Sequence, residues 1–345
     1  MSLSVAQQIA QRLEAADQPA ADMLAALIDC KLDVLPAPGS GQTFERWQAL
    51  AAVAEVDLSL AKLYESHTDA LAILSEMEPE WTSDRTGAWG VWAAEAPGGR
   101  AIFEDSHAGD ESRGSVYLRG GKCWCSGAAS AQFALLTAWS RTGQGPYLVR
   151  VALSQPAIVV QRDQWKAVGM NGSASLNVLL DGAVGHMVGH VGQYLSRPGF
   201  WQGGAGVAAC WYGGAVTLAS TLRQTAAVMD ADRRSGFMLA ALGKVDLALH
   251  ETAAVLKQAA AWIDANPAEQ AARVALLCRL SAEKTARLVL DEVGRALGAT
   301  PFCRDRRFAK MAADLPVFIR QCHAEKDFAA LGEHALAESA LPWRL

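Results

Sequence analysis

The sequence predicts an α+β fold with an N-terminal helical domain (residues 1–86), a central antiparallel β-barrel or sandwich (87–196) and a C-terminal four-helix bundle (197–345). Three observations predict this order. Apolar residues recur every three or four positions in the first and last domains, as in amphipathic helices. In the middle, short apolar runs alternate with Gly, Ser, Asp, Asn and Pro, as between strands. Only 19% of the 345 residues are charged and 51% are hydrophobic, so much of the chain is buried.

Each element follows from its local pattern. The N-terminal helices are VAQQIAQRL, ADMLAALI and the long run at 47–74, and PAPGSG at 36–41 interrupts the helical spacing. Seven runs predict strands: AWGVWAA, SVYLRG, KCWCSG, FALLTAW, YLVRVAL, AIVVQ and LNVLL. Beyond residue 203, the spacing predicts three long helices and a shorter final helix, DLPVFIRQCHAEKDFAALG.

The charge and cysteine content exclude several kinds of function. The net charge of −5 is spread without a long basic or acidic block, so we expect a small-molecule substrate and neither a nucleic-acid nor a membrane partner. The seven cysteines show no paired spacing typical of zinc sites, so we expect no metal. Free thiols and an N-terminus without a signal-peptide pattern indicate a cytoplasmic protein.

One stretch tests that interpretation. No charged residue occurs between Arg197 and Arg223, which is long enough for a membrane span of about 20 residues. The stretch contains six glycines, however, and its hydrophobicity is modest. Small residues at this density allow close packing between helices, so we interpret the stretch as a helix inside the bundle.

Four segments resemble sequence motifs of the acyl-CoA dehydrogenase superfamily of flavoproteins. They occur in the family's order and at similar spacing over most of the chain. The resemblance implies a flavoprotein oxidoreductase that binds FAD and forms a homodimer or homotetramer. The segments are VWAAEAPGG (91–99), GGKCWCSGAASAQFALLTA (120–138), WKAVGMNGSASLNVLLDGA (165–183) and DEVGRALGATPF (291–302).

The resemblance implies residues that would contact the flavin ring. Trp124 and Ser126 match the aromatic and hydroxyl positions of the family's W-x-T element. An indole could cover a flavin face, while a hydroxyl or backbone N–H could donate to ring N5. Trp92 and Ala94 lie at the family's T-E-P-like turn and are weaker candidates, because the hydroxyl of that motif is absent. Trp124 would equally suit the core of a strand.

Two further segments match the family's contacts to the flavin diphosphate. The family's Arg after the first bundle helix corresponds to Asp232 here, but Arg233 and Arg234 stand beside it and could donate paired N–H groups to a diphosphate. A solvated basic pair would explain them equally well. The glycine-rich turn from Gly294 to Gly298 could let the backbone approach the same group, although a glycine at the end of a helix needs no ligand.

The catalytic base of the family is a Glu near the C-terminus, and this chain departs from that pattern. Two alignments place the Glu position on Ala313 or on Cys322, and we favour the second because it brings RQCHAEKD to the expected place. His323 can exchange a proton near neutral pH, and Glu325 or Asp327 could orient it or replace it as the base. The segment could also be an ordinary charged helix surface.

The substrate side departs further from the family. The D-x-x-x-R motif of acyl-CoA dehydrogenases is missing, and Trp201, Val207, Trp211 and Tyr212 could instead form an apolar wall, although ordinary helix packing would explain them too. Three functions stay open: α,β-desaturation of an acyl thioester or related apolar acid, oxygenation by a flavin monooxygenase of the same fold, and a non-catalytic role. The electron acceptor or reductase is not indicated.

Overall fold

The computed structural model describes residues 3–14, 18–81, 87–105, 114–163, 165–232, 235–338 and 343. The chain forms two compact units. The helical unit consists of residues 1–11, 36–58 and 201–345, and the barrel unit consists of residues 12–35 and 59–200. Segments of the two units alternate along the chain. The division at residues 86 and 196 stays a prediction.

The barrel unit contains a closed ring of five strands. The ring runs β4–β2–β3–β7–β5 and returns to β4, while β1 adds to β4 and β6 adds to β7. A closed ring leaves few free strand edges. The strands are β1 (Trp89–Trp92), β2 (Ala101–Asp105), β3 (Ser115–Cys125), β4 (Phe133–Ser140), β5 (Tyr147–Ala152), β6 (Ile158–Gln161) and β7 (Leu176–Val188).

The prediction of an antiparallel β unit is correct for most of the strand pairs and wrong for two of them. Strands β1 and β2 both pair with β4 in the parallel direction, at opposite ends of β4. A parallel pair requires a crossover rather than a tight turn, and the intervening chain makes that crossover here. Alternation within one strand does not reveal the direction of its partner, so the sequence pattern could not indicate these pairs.

The strand count is correct, but the strands are distributed differently. The runs SVYLRG and KCWCSG belong to one strand, β3, and the segment AIFED forms β2, which the pattern did not indicate. Register shifts after Leu118 and after Lys122 let β3 bend and continue through its glycines. The interior of the barrel is filled by apolar side chains such as Phe103, Leu118 and Val149.

Two N-terminal helices belong to the barrel unit, except for Leu58, the first residue of the second of them, which is assigned to the helical unit. Helix α2 (Ala20–Asp29) precedes the segment at 30–35, and helix α4 (Leu58–Met77) packs its apolar face on the sheet. Ile73 and Leu74 join a cluster that includes Trp89 of β1 and Leu135 of β4. This contact accounts for the helical spacing in the second half of the run at 47–74.

The helical unit contains the bundle helices, one complete earlier helix and the first seven residues of another. The three long helices occur as the sequence predicts, and Asn266-Pro267 lies in the turn between two of them. The helices are α3 (Thr43–Val56), α6 (Pro198–Val228, whose first residues lie in the barrel unit), α7 (Gly236–Ala265), α8 (Ala272–Leu297), α9 (Thr300–Arg304), α10 (Arg306–Phe318) and α11 (Glu325–Ala337). Helices α1 (Val5–Leu13) and α5 (Gln193–Ser196) complete the described set.

The final predicted helix is interrupted. Helix α10 ends at Phe318, a 3-10 turn covers Ile319–Gln321, and α11 begins at Glu325. Ala324 has a φ of 48°, which a continuous helix does not allow. Continuous helical spacing in DLPVFIRQCHAEKDFAALG therefore conceals a turn, and His323 lies on that turn.

Helix α6 packs closely on α3 through glycine. A Cβ placed on Gly213 would lie 2.4 Å from the carbonyl oxygen of Ala51, so only a glycine allows this approach. The helix is also long and apolar enough to cross a membrane by length and composition, but 72% of its most apolar window is buried within the protein. Such burial is typical of a core helix and agrees with the interpretation made from its glycines.

A carboxylate that is distant in the sequence caps the N-terminus of α3. Asp264, at the end of α7, accepts hydrogen bonds from the backbone N–H groups of Gly41 and Thr43 and from the Thr43 hydroxyl at 2.6 Å. The first N–H groups of a helix have no partner within the helix. Asp264 therefore supplies a cap that the residue before α3, Gln42, does not provide with its own side chain.

Candidate functional site

In the barrel unit, the structure brings two of the four predicted flavin-contact residues together. The indole Nε1 of Trp92 donates a 3.0 Å hydrogen bond to the backbone carbonyl of Ser126, which ties β1 to the end of β3. Trp92 is only 2% exposed, so its indole belongs to the barrel core and offers little surface to a ligand. Ala94, two residues beyond β1, is exposed. The role of both residues in cofactor binding stays a prediction, and the burial of Trp92 does not favour it.

Trp124 differs from Trp92 in both exposure and backbone. Its side chain is 60% exposed, and its φ of 57° lies in the left-handed region that non-glycine residues rarely adopt. The register shift between Lys122 and Cys125 produces this conformation, because Lys122 and Cys125 both face inward. The strand thereby presents an indole outward two residues before Ser126. Such local strain commonly occurs at functional sites.

Ser126 is part of a chain of three hydroxyls. Its Oγ lies 2.9 Å from Ser175 Oγ, which lies 2.8 Å from Ser173 Oγ, and Ser173 Oγ donates at 2.7 Å to the carbonyl of Met170. A carbonyl only accepts, so Ser173 uses its single proton there. Ser175 must then donate to Ser173, and Ser126 must donate to Ser175. The hydroxyl of Ser126 can therefore only accept, and not donate, a further hydrogen bond.

The direction of these hydrogen bonds changes what we expect of the Ser126 hydroxyl. The resemblance implied that a hydroxyl or backbone N–H at this position donates to flavin N5, which is an acceptor in the oxidised ring. In the structure the Ser126 side chain is only 5% exposed and its proton is already committed, so its oxygen could meet a ligand only as an acceptor, over the small surface that it leaves open. The exposed indole of Trp124 and this acceptor fit the apolar face and polar edge of a flavin ring. Ser173 and Ser175 were missed in the sequence, where alternating serines in GSASL gave no signal beyond a turn.

A charged cluster lies at the same end of β3. The Lys122 ammonium is completely buried and bonds Glu95 Oε1 at 3.1 Å and Thr137 Oγ1 at 2.9 Å. Burial lowers the pKa of Lys122 below its ordinary value, and Glu95 opposes that effect in part. For Glu95, burial alone would raise the pKa, but hydrogen bonds from Thr137, Lys122 and Trp139 outweigh it and lower the pKa.

In the helical unit, both predicted catalytic residues lie beside the turn between α10 and α11. The backbone N–H of His323 donates to Asp327 Oδ2 at 2.9 Å, and His323 Nδ1 lies 3.4 Å from Asp327 Oδ1. The imidazole is exposed, with Nδ1 directed to the carboxylate and Nε2 available for proton exchange. Glu325 begins α11 and is exposed.

Cys322 occupies the position that the favoured alignment gives to the family's Glu. Its thiol is buried and lies within hydrogen-bond range of Asp327 Oδ2, at 3.5 Å. Burial raises the pKa of the Cys322 thiol, and the nearby Asp327 carboxylate raises it further. A thiol with a raised pKa is a poor nucleophile at neutral pH. The candidate for proton transfer at this turn is therefore His323, with Asp327 beside it, rather than Cys322.

The remaining candidates have structural explanations of their own. Gly298 follows α8 with a φ of 62°, and its N–H bonds the carbonyl of Gly294 at 3.0 Å, as in a helix C-cap. The role of Gly294 and Gly298 in binding a diphosphate stays a prediction. Arg233 and Arg234 lie outside the described residues. Within the described ranges, no three His, Cys, Asp or Glu side chains form a group that could bind a metal.

The predicted apolar wall is largely core. Val207 is 3% exposed and Trp211 is fully buried, so neither offers a surface to a ligand in this structure. Trp201 and Tyr212 are half-buried. Both buried residues lie inside the helical unit because α6 packs on neighbouring helices along most of its length. The uncharged stretch is therefore explained mainly by packing.

The order of helices, a small barrel and a helical bundle is the order that the resemblance to acyl-CoA dehydrogenases implied. Searches found no matching family model and no matching curated protein. The fold does match solved structures. KijD3, solved with FMN and dTDP-3-amino-2,3,6-trideoxy-4-keto-3-methyl-D-glucose, is 16% identical, with a TM-score of 0.79 over 98% of this chain and 94% of that chain.

Two further similar structures are described as monooxygenases. The dibenzothiophene monooxygenase TdsC from Paenibacillus sp. A11-2, solved with FMN, is 18% identical and has a TM-score of 0.79 over 98% of this chain and 97% of that chain. The methanesulfinate monooxygenase MsuC from Pseudomonas fluorescens is 19% identical and has a TM-score of 0.75, covering 99% and 98%. At these identities the likeness shows the shared fold, which the sequence predicted.

Proposed function

We propose that this protein is a flavin-dependent monooxygenase that uses reduced flavin supplied by a separate reductase. The observation that carries the proposal is the turn at 322–327. In the favoured alignment the dehydrogenases of this family have their carboxylate base at the Cys322 position, and this chain has a buried thiol there, followed by the His323–Asp327 pair. The monooxygenases TdsC and MsuC share the fold over nearly their whole length, which supports the same choice.

The flavin, when bound, would supply two electrons for the reduction of molecular oxygen, and the substrate, which takes up one oxygen atom while the other leaves as water, would supply the other two. His323 would move a proton at Nε2, because Asp327 engages the Nδ1 side and fixes the ring. Trp124 would cover a ring face, and Ser126 Oγ would accept a hydrogen bond. Reduced flavin has an N–H at N5 and oxidised flavin does not, so this acceptor favours the reduced form.

The identity of the flavin is also part of the proposal. The resemblance implied FAD, whereas KijD3 and TdsC were solved with FMN. The residues described around Trp124 and Ser126 are suited to the ring system, which FAD and FMN share. We propose a flavin without choosing its nucleotide part, and we propose a homodimer or homotetramer in the cytoplasm acting on an apolar small molecule, with no membrane or nucleic-acid partner.

Anaerobic binding of oxidised and reduced FMN and FAD tests this function. We expect the reduced form to bind more tightly, and we expect oxygen to reoxidise the bound flavin with kinetics that change in His323→Asn. His250→Asn is the matched control, because His250 is an exposed histidine of α7. Failure to bind any of the four flavins would overturn the proposal. Bleaching of bound oxidised flavin by an acyl-CoA would indicate the dehydrogenase, with the exposed Glu325 as its base.

A further inference from the structure

Arg279 of α8 contacts two other elements of the helical unit. Its Nη1 donates at 3.2 Å to the carbonyl of Gly204 in α6, and its Nη2 donates to the carbonyl of Gln321 in the 3-10 turn after α10. The carbon of the guanidinium group lies 5.2 Å from the centre of the Trp211 ring. A basic residue in the middle of a helix is usually predicted to be solvated, and the sequence did not indicate these contacts.

The contact with Gln321 acts on the turn that bears His323. The last carbonyls of a helix have no partner within the helix, and the guanidinium supplies one for Gln321. Two residues later, the N–H of His323 is held by Asp327. The turn is thus fixed on both sides of His323, by Arg279 before it and by Asp327 after it.

Trp211 limits the freedom of Arg279. The Trp211 ring is fully buried and meets the ring of Phe318, the last residue of α10, edge to face at 6.4 Å. The guanidinium lies over this ring, so it is held by stacking as well as by two hydrogen bonds. A lysine has a single ammonium and no planar fork, so it cannot reproduce both bonds and the stacking.

We propose that Arg279 is the positioning residue that sets the location of His323. The proposal rests on the function proposed above, because His323 has its chemical role there. Arg279 does not itself exchange a proton. It fixes the backbone at Gln321, and the path of the chain from Gln321 to Asp327 then decides where the imidazole lies.

Arg279→Ala and Arg279→Lys test the proposal. A misplacement of about 1 Å can reduce a rate about a hundredfold, and we expect both variants to slow His323-dependent flavin reoxidation by about tenfold to a hundredfold. Added guanidinium at non-denaturing concentration should restore Arg279→Ala substantially and Arg279→Lys little, because the lysine side chain occupies the space. Arg287→Ala is the control, since Arg287 lies two turns further along α8 and pairs with Glu283.

Hydrogen exchange of the His323 amide gives a readout that needs no flavin. We expect faster exchange in Arg279→Ala, slower exchange again with guanidinium, and no change in Arg287→Ala. Unchanged exchange and unchanged kinetics in Arg279→Ala would overturn the positioning role. If the wild-type protein binds no flavin, the proposed function fails, while the exchange measurement still decides whether Arg279 fixes the turn.

Discussion

The Ser126 hydroxyl directs its proton to Ser175, and under the proposed function this direction would decide which flavin state the residue favours. In Ser175→Ala, the Ser126 proton is released and can be donated to an oxidised flavin. We expect the ratio of oxidised to reduced flavin affinity to rise by about threefold to tenfold, the worth of one hydrogen bond. Anaerobic titration of both flavin states measures the ratio.

Ser130→Ala is the control for this change, because the Ser130 hydroxyl bonds only weakly to the carbonyl of Gly127 and lies outside the hydroxyl chain. An affinity ratio that does not move in Ser175→Ala would show that the Ser126 proton is not committed as the distances indicate.

The buried Lys122 depends on Glu95. We expect Glu95→Gln to lower the free energy of unfolding by about 2 kcal/mol, because the ammonium stays buried after its carboxylate partner is neutralised. The matched control is Asp181→Asn, which removes the exposed partner of Arg119 and should change stability by less than about 0.5 kcal/mol. Urea unfolding at neutral pH measures both, and equal effects would contradict the role of burial.

The same pair predicts a pH dependence. The pKa of Glu95 is lower in the folded protein than its ordinary value of 4.5, so its contribution to stability is complete above pH 4.5 and is lost as the pH falls through the lowered folded value. Glu95→Gln should lack this part of the acid-induced loss. Urea unfolding of both proteins across acidic pH tests it, and parallel curves for the two proteins would be the contrary result.

Among the helices, the contact between α3 and α6 leaves no room for a side chain at Gly213. Gly213→Ala forces a methyl group toward the carbonyl of Ala51, and we expect a loss of about 2 kcal/mol of stability from this overpacking. Gly332→Ala is the control. Gly332 lies exposed in α11 with nothing near its added Cβ, so the same change should stabilise the protein by about 1 kcal/mol. Thermal unfolding should show shifts of opposite sign.

The sequence predicted the elements well where one residue pattern determines one element. The three long helices and the content of the strands follow from apolar spacing, which depends on neighbours in sequence. The parallel partners of β4, the cap that Asp264 gives α3 and the break at Ala324 depend on residues that meet only after folding. The same reason applies to the candidate site: local motifs indicate Trp124, Ser126 and His323, whereas Ser175 and Arg279 make contacts with residues far away in the sequence.

Several apolar side chains of α7 are exposed in the single chain. Leu239 is 50% and Leu247 is 61% exposed, two turns apart on one helix face. Such a face is a candidate for contact between copies, and we expect light scattering to give at least twice the 36.6 kDa mass of one chain. Leu247→Lys should shift the protein toward monomers, while Val168→Lys, at an exposed position of the barrel unit, should not. A wild-type monomer would contradict the expected assembly.

The interleaving of the two units has a consequence for synthesis on the ribosome. The barrel unit is complete once residue 200 has emerged, but the helical unit needs residues 1–11 and 36–58 together with residues 201–345. Helix α3 therefore waits for Asp264, 221 residues after Thr43, to receive its cap. Domains commonly fold as units during translation. The nascent chain thus has a finished barrel while early segments of the helical unit still lack their partners, so these segments, α3 among them, are open to chaperones and proteases during that interval.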